Sequence, residues 1–293
     1  RALHDFDAAL FGHIGFTISN AVRSLVMALT NARFTRVPEI GPASRYFQHI
    51  VRFSASFAFA VDVAMLTLGG YLKKKENLSA RLGDVLSCMY LASMVLKHFD
   101  NQGRRDEDLP IVEWACRSLL YKAQEQLHSF LRNFPNPAIS GFMRFFIFPS
   151  GLQYSAPSDR LGRRIADLVM NPTAARDRLC EFVYREIQPG NPLGLLQEAL
   201  VLAPSAEPLE KVIRVEGIRT GRVTALDPPT QISQALAAGI ISETEAALLR
   251  EYDRKIMEII HVDDFAPEEL GTRAQPVSGA LPAATSVSGA QVA

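Results

Sequence analysis

LSARLGDVLSCMYLASMVLKHF, from Leu78 to Phe99, decides how the rest of the chain is read. Leu78, Leu82, Val85, Met89, Ala92, Leu96 and Phe99 recur at alternating steps of four and three. Such spacing lays one apolar stripe along an α-helix and suits a heptad-like seam against neighbouring helices. Two charges, Arg81 and Asp84, sit one turn apart near its start, with Arg81 off the stripe. Burying seven such side chains contributes roughly 1.5–3 kcal/mol each. An exposed ion pair contributes about 1 kcal/mol or less. The pair is therefore read as wiring that orients the helix, with Asn77 or Ser79 as the N-cap.

The same period extends outward on both sides. Upstream, Phe47, Ile50, Ser54, Phe57, Val61, Ala64, Leu68 and Tyr71 predict a second seam, loosened at Gly69-Gly70 and linked by KKKEN. Positions 2–31 read as helical up to a break at NARFTRVPEIGP. Downstream, DNQGRRDED is a polar turn with Gly103 as the stop. A helix over Leu109–Asn133 follows, carrying Trp114, Leu120, Leu127 and Leu131, and then a shorter one over Pro137–Phe148. Strand signals are scarce. The expected fold is all-α: a long-helix up-down bundle over 1–150, then shorter helices over 151–271 packed on or next to it.

That second region is punctuated by YSAPSD, MNPTA, QPGNPLG, LAPSAEP and LDPPTQ. SETEAALLREYDRKIMEII is a clear amphipathic helix, with Ser242 and Glu245 set for a capping box and Gly239 closing the helix before it. Small polar residues over 272–293 have little to bury and read as a disordered tail.

Lys plus Arg and Asp plus Glu both number 31, so no net field recruits nucleic acid, and none is expected as a partner. A hydrophobic share of 48% is ample for a core. Cys88, Cys116 and Cys180 lie far apart in apolar helical contexts, which fits neither a disulfide framework nor a zinc site. Reduced buried thiols in a cytoplasmic protein are expected. The chain starts at Arg1 with neither Met nor a signal-like leader, so it reads as a piece of a longer protein.

Asp62 interrupts FSASFAFAVDVAMLTLGG, which approaches the ~20 apolar residues a membrane span needs. A central Asp opposes insertion by about 2.5–3.5 kcal/mol, and the seam explains the apolarity without lipid. Asp62 is expected to pair with a base on a facing helix, making Asp62, Arg81 and Asp84 structural charges. Arg52 and Lys73, Lys74 and Lys75 flank that stretch. Phe142, Phe145, Phe146 and Phe148 in GFMRFFIFPSG do not share one helix face. With the lysines they are the candidates for membrane or interface contact, against burial under the second half. His4 and His13 lack the i,i+4 spacing of a zinc pair, and HVDDF is equally weak, so no metal is expected. Phosphate-binding loops, dinucleotide fingerprints, nucleophile elbows and paired-carboxylate motifs are absent, and no catalytic residue is assigned.

FGHIGFTISNAVRSLVMALT, RFSASFAFAVDVAMLTLGGYLKKKENLSARLGD, the opening stretch, DLPIVEWACRSLLYKAQEQL, NFPNPAISGFMRFFIFPSG and APSDRL together carry a resemblance. In order and spacing they look like the C-terminal region of bacterial fatty-acid β-oxidation acyl-CoA dehydrogenases of the large proteobacterial long-chain type. The resemblance runs from about Leu3 to Glu216 and fades beyond. The segment from Arg81 to Phe99 is also similar to the extra helical domain of the mitochondrial very-long-chain enzymes.

The family oxidises an acyl-CoA to the trans-2-enoyl-CoA: a glutamate removes the α-proton while the β-hydrogen leaves as hydride to FAD. That glutamate's motif and the strand-rich flavin domain lie upstream of the matched region. Glu113, Glu125 and Glu198 sit in ordinary helices and take no such role. The resemblance thus implies FAD bound mainly outside this segment and acyl-CoA met through the full enzyme. Its implied partners are the rest of the dehydrogenase chain, a second copy and the inner-membrane surface. The alternative is a stand-alone all-α protein- or membrane-interaction module.

Overall fold

A computed structural model describes residues 2–188 and 190–261, and every regular element among them is a helix. The expected disordered tail lies outside the described residues. Contacts divide the chain into two units, Arg1–Phe182 and the residues from Val183 onward.

In the first unit, α1 (Ala2–Leu29), α2 (Ser44–Leu68), α3 (Glu76–Asn101) and α4 (Leu109–Arg132) run up and down in succession. The shorter α5 (Pro137–Ile147), α6 (Asp159–Met170) and α7 (Ala174–Leu179) follow. All seven stripe positions of α3 are buried, joined by Cys88. Leu78, Leu82, Val85, Cys88 and Met89 meet Leu120, Ala123, Leu127, Phe130 and Leu131 of α4 in the main core, while Leu96 and Phe99 join Val112 and Cys116 in a second cluster. Trp114 lies off that α4 stripe and is 45% exposed. No side chain caps α3, which starts one residue before Asn77, and Ser79 instead donates back to the Glu76 carbonyl.

The upstream seam is rotated from its expected place. Helix α2 buries Arg52, Phe53, Ala55, Ser56, Phe59, Ala60, Val63 and Ala64, while Ser54 and Tyr71 face outward. Counting large side chains misleads here because α2 is central, with α1, α3, α4 and α5 all against it. The side facing α1 is built from small residues. Ala21, Ser24 and Ala28 of α1 are buried, and the Ser24 and Ser56 hydroxyls lie 2.8 Å apart. Ser24 also donates to the Phe146 carbonyl of α5 at 3.2 Å. The stretch Gly41–Lys74 is long and apolar enough to cross a membrane, and α1, α3, α4 and α5 pack against α2 within it.

Asn20 is 2% exposed, and its Nδ2 has no hydrogen-bond partner. A buried unsatisfied amide costs about 1–3 kcal/mol. Asn20→Leu, close in size and free of that penalty, is expected to raise the melting temperature of the first unit by a few degrees. A calorimetric scan showing a fall would contradict it.

The second unit holds α8 (Pro192–Val212), a π-helical turn over Ile213–Ile218, α9 (Pro228–Ala237) and α10 (Glu243–Ile260). Its own core gathers Ala206, Ile213, Val223, Ile232, Ala235, Ile241, Ala246 and Leu249. LAPSAEP, expected as a break, runs inside α8 instead, with Pro204 and Pro208 both facing solvent. Proline removes an amide and frees the carbonyl four residues back. Two prolines four apart put both losses on one wet face, where water replaces the missing donors. The capping box at Ser242 and Glu245 forms as expected, and Gly239 takes a positive φ of 69° after α9.

Candidate functional site

Arg81 and Asp84 form no ion pair among the described residues. Arg81 instead lines a polar surface hollow with Lys74, Lys75, Glu76 and Asn133, and Asp84 is exposed. One turn of separation leaves both side chains in water, which solvates them better than each other. Asp62 has no basic partner either. Its Oδ2 lies 3.2 Å from the Thr17 hydroxyl, because the face of α1 packed there brings a hydroxyl and no base. It remains half-buried, so water supplies the rest of its solvation.

The aromatic segment divides. Phe148 is buried, edge-on to His128, and Phe146 stacks among Phe59, Phe142 and Phe145. Phe142 and Phe145 are 54% and 60% exposed. Lys73 and Lys74 are exposed, while the Lys75 ammonium sits 5.3 Å from the centre of the Tyr71 ring.

The site that sequence reasoning missed lies at the start of α2. Arg45, His49 and Arg52 follow at i, i+4 and i+7, so one helix face carries all three. Arg52, read in the sequence as a mere flank, is 3% exposed. Its Nη1 donates to Gln153 Oε1 at 2.7 Å, and its guanidinium lies over the Tyr154 ring at 5.4 Å. The Tyr154 hydroxyl is 2.9 Å from His49 Nδ1.

Beneath that segment Gln124 of α4 is 1% exposed. It accepts from the Gln153 and Tyr154 amides at 2.8 and 2.9 Å and donates to the Tyr154 carbonyl at 2.8 Å. Arg45 donates to the Asn31 carbonyl and to Gln48. The legible signal was a polar side chain on each buried stripe: Arg52 beside Phe53 and Gln124 between Leu120 and Leu127.

Burial, then the charges of Arg45 and Arg52, hold the His49 pKa down to about 3. Burial pushes the Tyr154 hydroxyl up, against the pull of Arg52. Native His49 therefore refuses a proton that the unfolded chain accepts near pH 6.5. As pH falls from 6.5 towards 3 the unfolded state binds more protons, and stability drops by up to about 1.4 kcal/mol per pH unit. Urea midpoints should fall more steeply with acidification in the wild type than in His49→Gln. Parallel pH profiles would refute this.

Elsewhere, an apolar cavity of about 340 Å³ opens between α3, α4 and α7, lined by Met94, Val95, Phe99, Ile111, Ala175 and Leu179 among others. At its rim Arg178 is held by Asp108 at 2.7 Å and by Glu107 at 2.5 Å. Glu113 pairs with Arg117 and Glu198 with Lys255, at 2.8 and 2.7 Å. Burial pushes the Cys116 thiol up to about 12 and raises Cys88 as well, so both stay protonated; Cys180 is only half-buried. Among the described residues no group of three His, Cys, Asp or Glu side chains is placed to hold a metal.

The family model described as acyl-CoA dehydrogenase, C-terminal, bacterial type, matches residues 1–265. The chain belongs to that family. No solved structure matches it.

Proposed function

We propose, starting from this membership, that the chain is the C-terminal helical part of a flavin-dependent dehydrogenase that turns acyl-CoA into trans-2-enoyl-CoA in fatty-acid β-oxidation. Its own task is docking. The family match over 1–265 carries the reading. What supports docking is the first half of α1, where Phe6, Leu10, Phe11 and Ile14 are all exposed. An apolar face of that kind marks an interaction surface. The occupant we assign is the remainder of the dehydrogenase chain, in the cytoplasm at the inner-membrane surface.

The flavin is assigned to the rest of the dehydrogenase chain. A cavity of about 640 Å³ in the second unit is lined by Glu198, Lys255, Arg254 and Glu258, with Lys255 paired to Glu198 and Arg254 to Glu258.

In the test, the 293-residue chain is purified alone and within the full dehydrogenase. The chain alone should show neither visible flavin absorption nor acyl-CoA turnover, and the full enzyme both. Phe11→Asp with Ile14→Asp should loosen the full enzyme without unfolding the chain. Flavin retained by the isolated chain overturns the division of labour. Unchanged full enzyme together with vesicle binding lost on Phe142→Asp and Phe145→Asp would move the docking role to lipid.

A further inference from the structure

The Arg45 face carries charge that nothing in the described structure balances. Arg33, Arg45 and Arg52 make no ion pair with any described carboxylate. Arg52 is buried on neutral partners only: Gln153, Asn31 and the hydroxyl and ring of Tyr154. Neutral acceptors solvate a guanidinium without cancelling its charge, and a buried unpaired cation is costly. The neighbourhood behaves accordingly, since Arg33 and Arg52 both press on Arg45, and Arg45 and Arg52 on His49. Glu113 of α4 lies 2.8 Å from Arg117.

Beside this cluster opens a pocket of about 310 Å³, lined by Arg45, Arg117, Tyr46, His49, Tyr154 and Ser155 among others. Guanidinium groups from two helices, α2 and α4, converge on it. Ser155 and the two tyrosines line it as well, and the buried Arg52 reaches Tyr154. Two forked cations with hydroxyl donors match the oxygens of a phosphoryl group. At about 310 Å³ the space lies at the lower end of small-ligand sites.

We propose that this pocket is a binding site for a phosphoryl group, with Arg45 and Arg117 as its ligands and Arg52 as the fixed charge behind them. The assignment stands without the dehydrogenase reading. Its ligand is either the phosphate ester of a soluble nucleotide or a phospholipid headgroup.

The 293-residue chain is titrated with inorganic phosphate at constant ionic strength against chloride, by calorimetry and by the NMR signals of the His49 ring. Phosphate should bind and shift His49. Arg117→Gln, whose side chain is largely at the surface, should weaken binding by about ten- to hundredfold, and Arg45→Gln likewise if it folds. Arg163→Gln with Arg164→Gln, on α6, should change nothing. Tighter binding of adenosine 3′,5′-bisphosphate than of phosphate assigns the soluble ester. A response confined to phosphatidate vesicles, absent with phosphatidylcholine and lost in Arg117→Gln, assigns the headgroup. No response to any phosphate probe, or an equal one in wild type and Arg117→Gln, overturns the site.

Discussion

Phe130→Ala is expected to destabilise the first unit by about 3–5 kcal/mol, the largest single effect in the chain. Phe130 is fully buried on the inner face of α4, edge-on to Phe134 at 5.6 Å, and belongs to the core that α3 also lines. Removing its ring forfeits the transfer energy of the buried atoms and leaves a void that rigid helices cannot fill by collapsing. Phe145→Ala is the matched control: the same atoms are deleted, but from a side chain already largely in water, so the change should stay within about 0.5 kcal/mol. Equal shifts in denaturant midpoint for the two variants would contradict the burial pattern on which the bundle rests.

Gln124→Leu should have an effect of similar size. Leucine fits the space, yet it abandons the Gln153 and Tyr154 amides and the Tyr154 carbonyl together. Each abandoned buried group costs about 1–3 kcal/mol, less where water reaches the segment. The segment would also lose its hold on Arg52, which reaches Gln153 and Tyr154 from the opposite helix. Hydrogen exchange gives a local readout: the Gln153 and Tyr154 amides should exchange fast while those of α3 stay protected. If both remain slow in the variant, the bridge does not hold the segment.

Sequence alone was enough for the long helices of the first unit and for α3's packing, because its stripe keeps one unbroken four-and-three period over seven positions, all buried. It was not enough for α2, whose apolar residues surround the axis and whose orientation is set by neighbours rather than by its own pattern. Ala55, Ser56 and Ala60 were invisible to a search for bulk, although all three are buried. Charges failed for a related reason. Arg81, Asp84 and Asp62 drew notice by interrupting apolar runs, and water or a hydroxyl satisfies them. Arg52 drew none, because a basic residue at the edge of an apolar run looks like a flank. Its burial depends on a loop a hundred residues away, and no local pattern encodes that meeting.

The serine-and-alanine contact between α1 and α2 works as a spacer of fixed width. Across the α3–α4 boundary, leucines and phenylalanines can exchange volume among themselves, so drift in one is absorbed by another. Where hydroxyls and methyl groups already touch, no such slack exists, and one added methylene at Ser24 or Ser56 must lever the two rods apart. Side-chain enlargement along this chain should therefore be least tolerated at its smallest side chains.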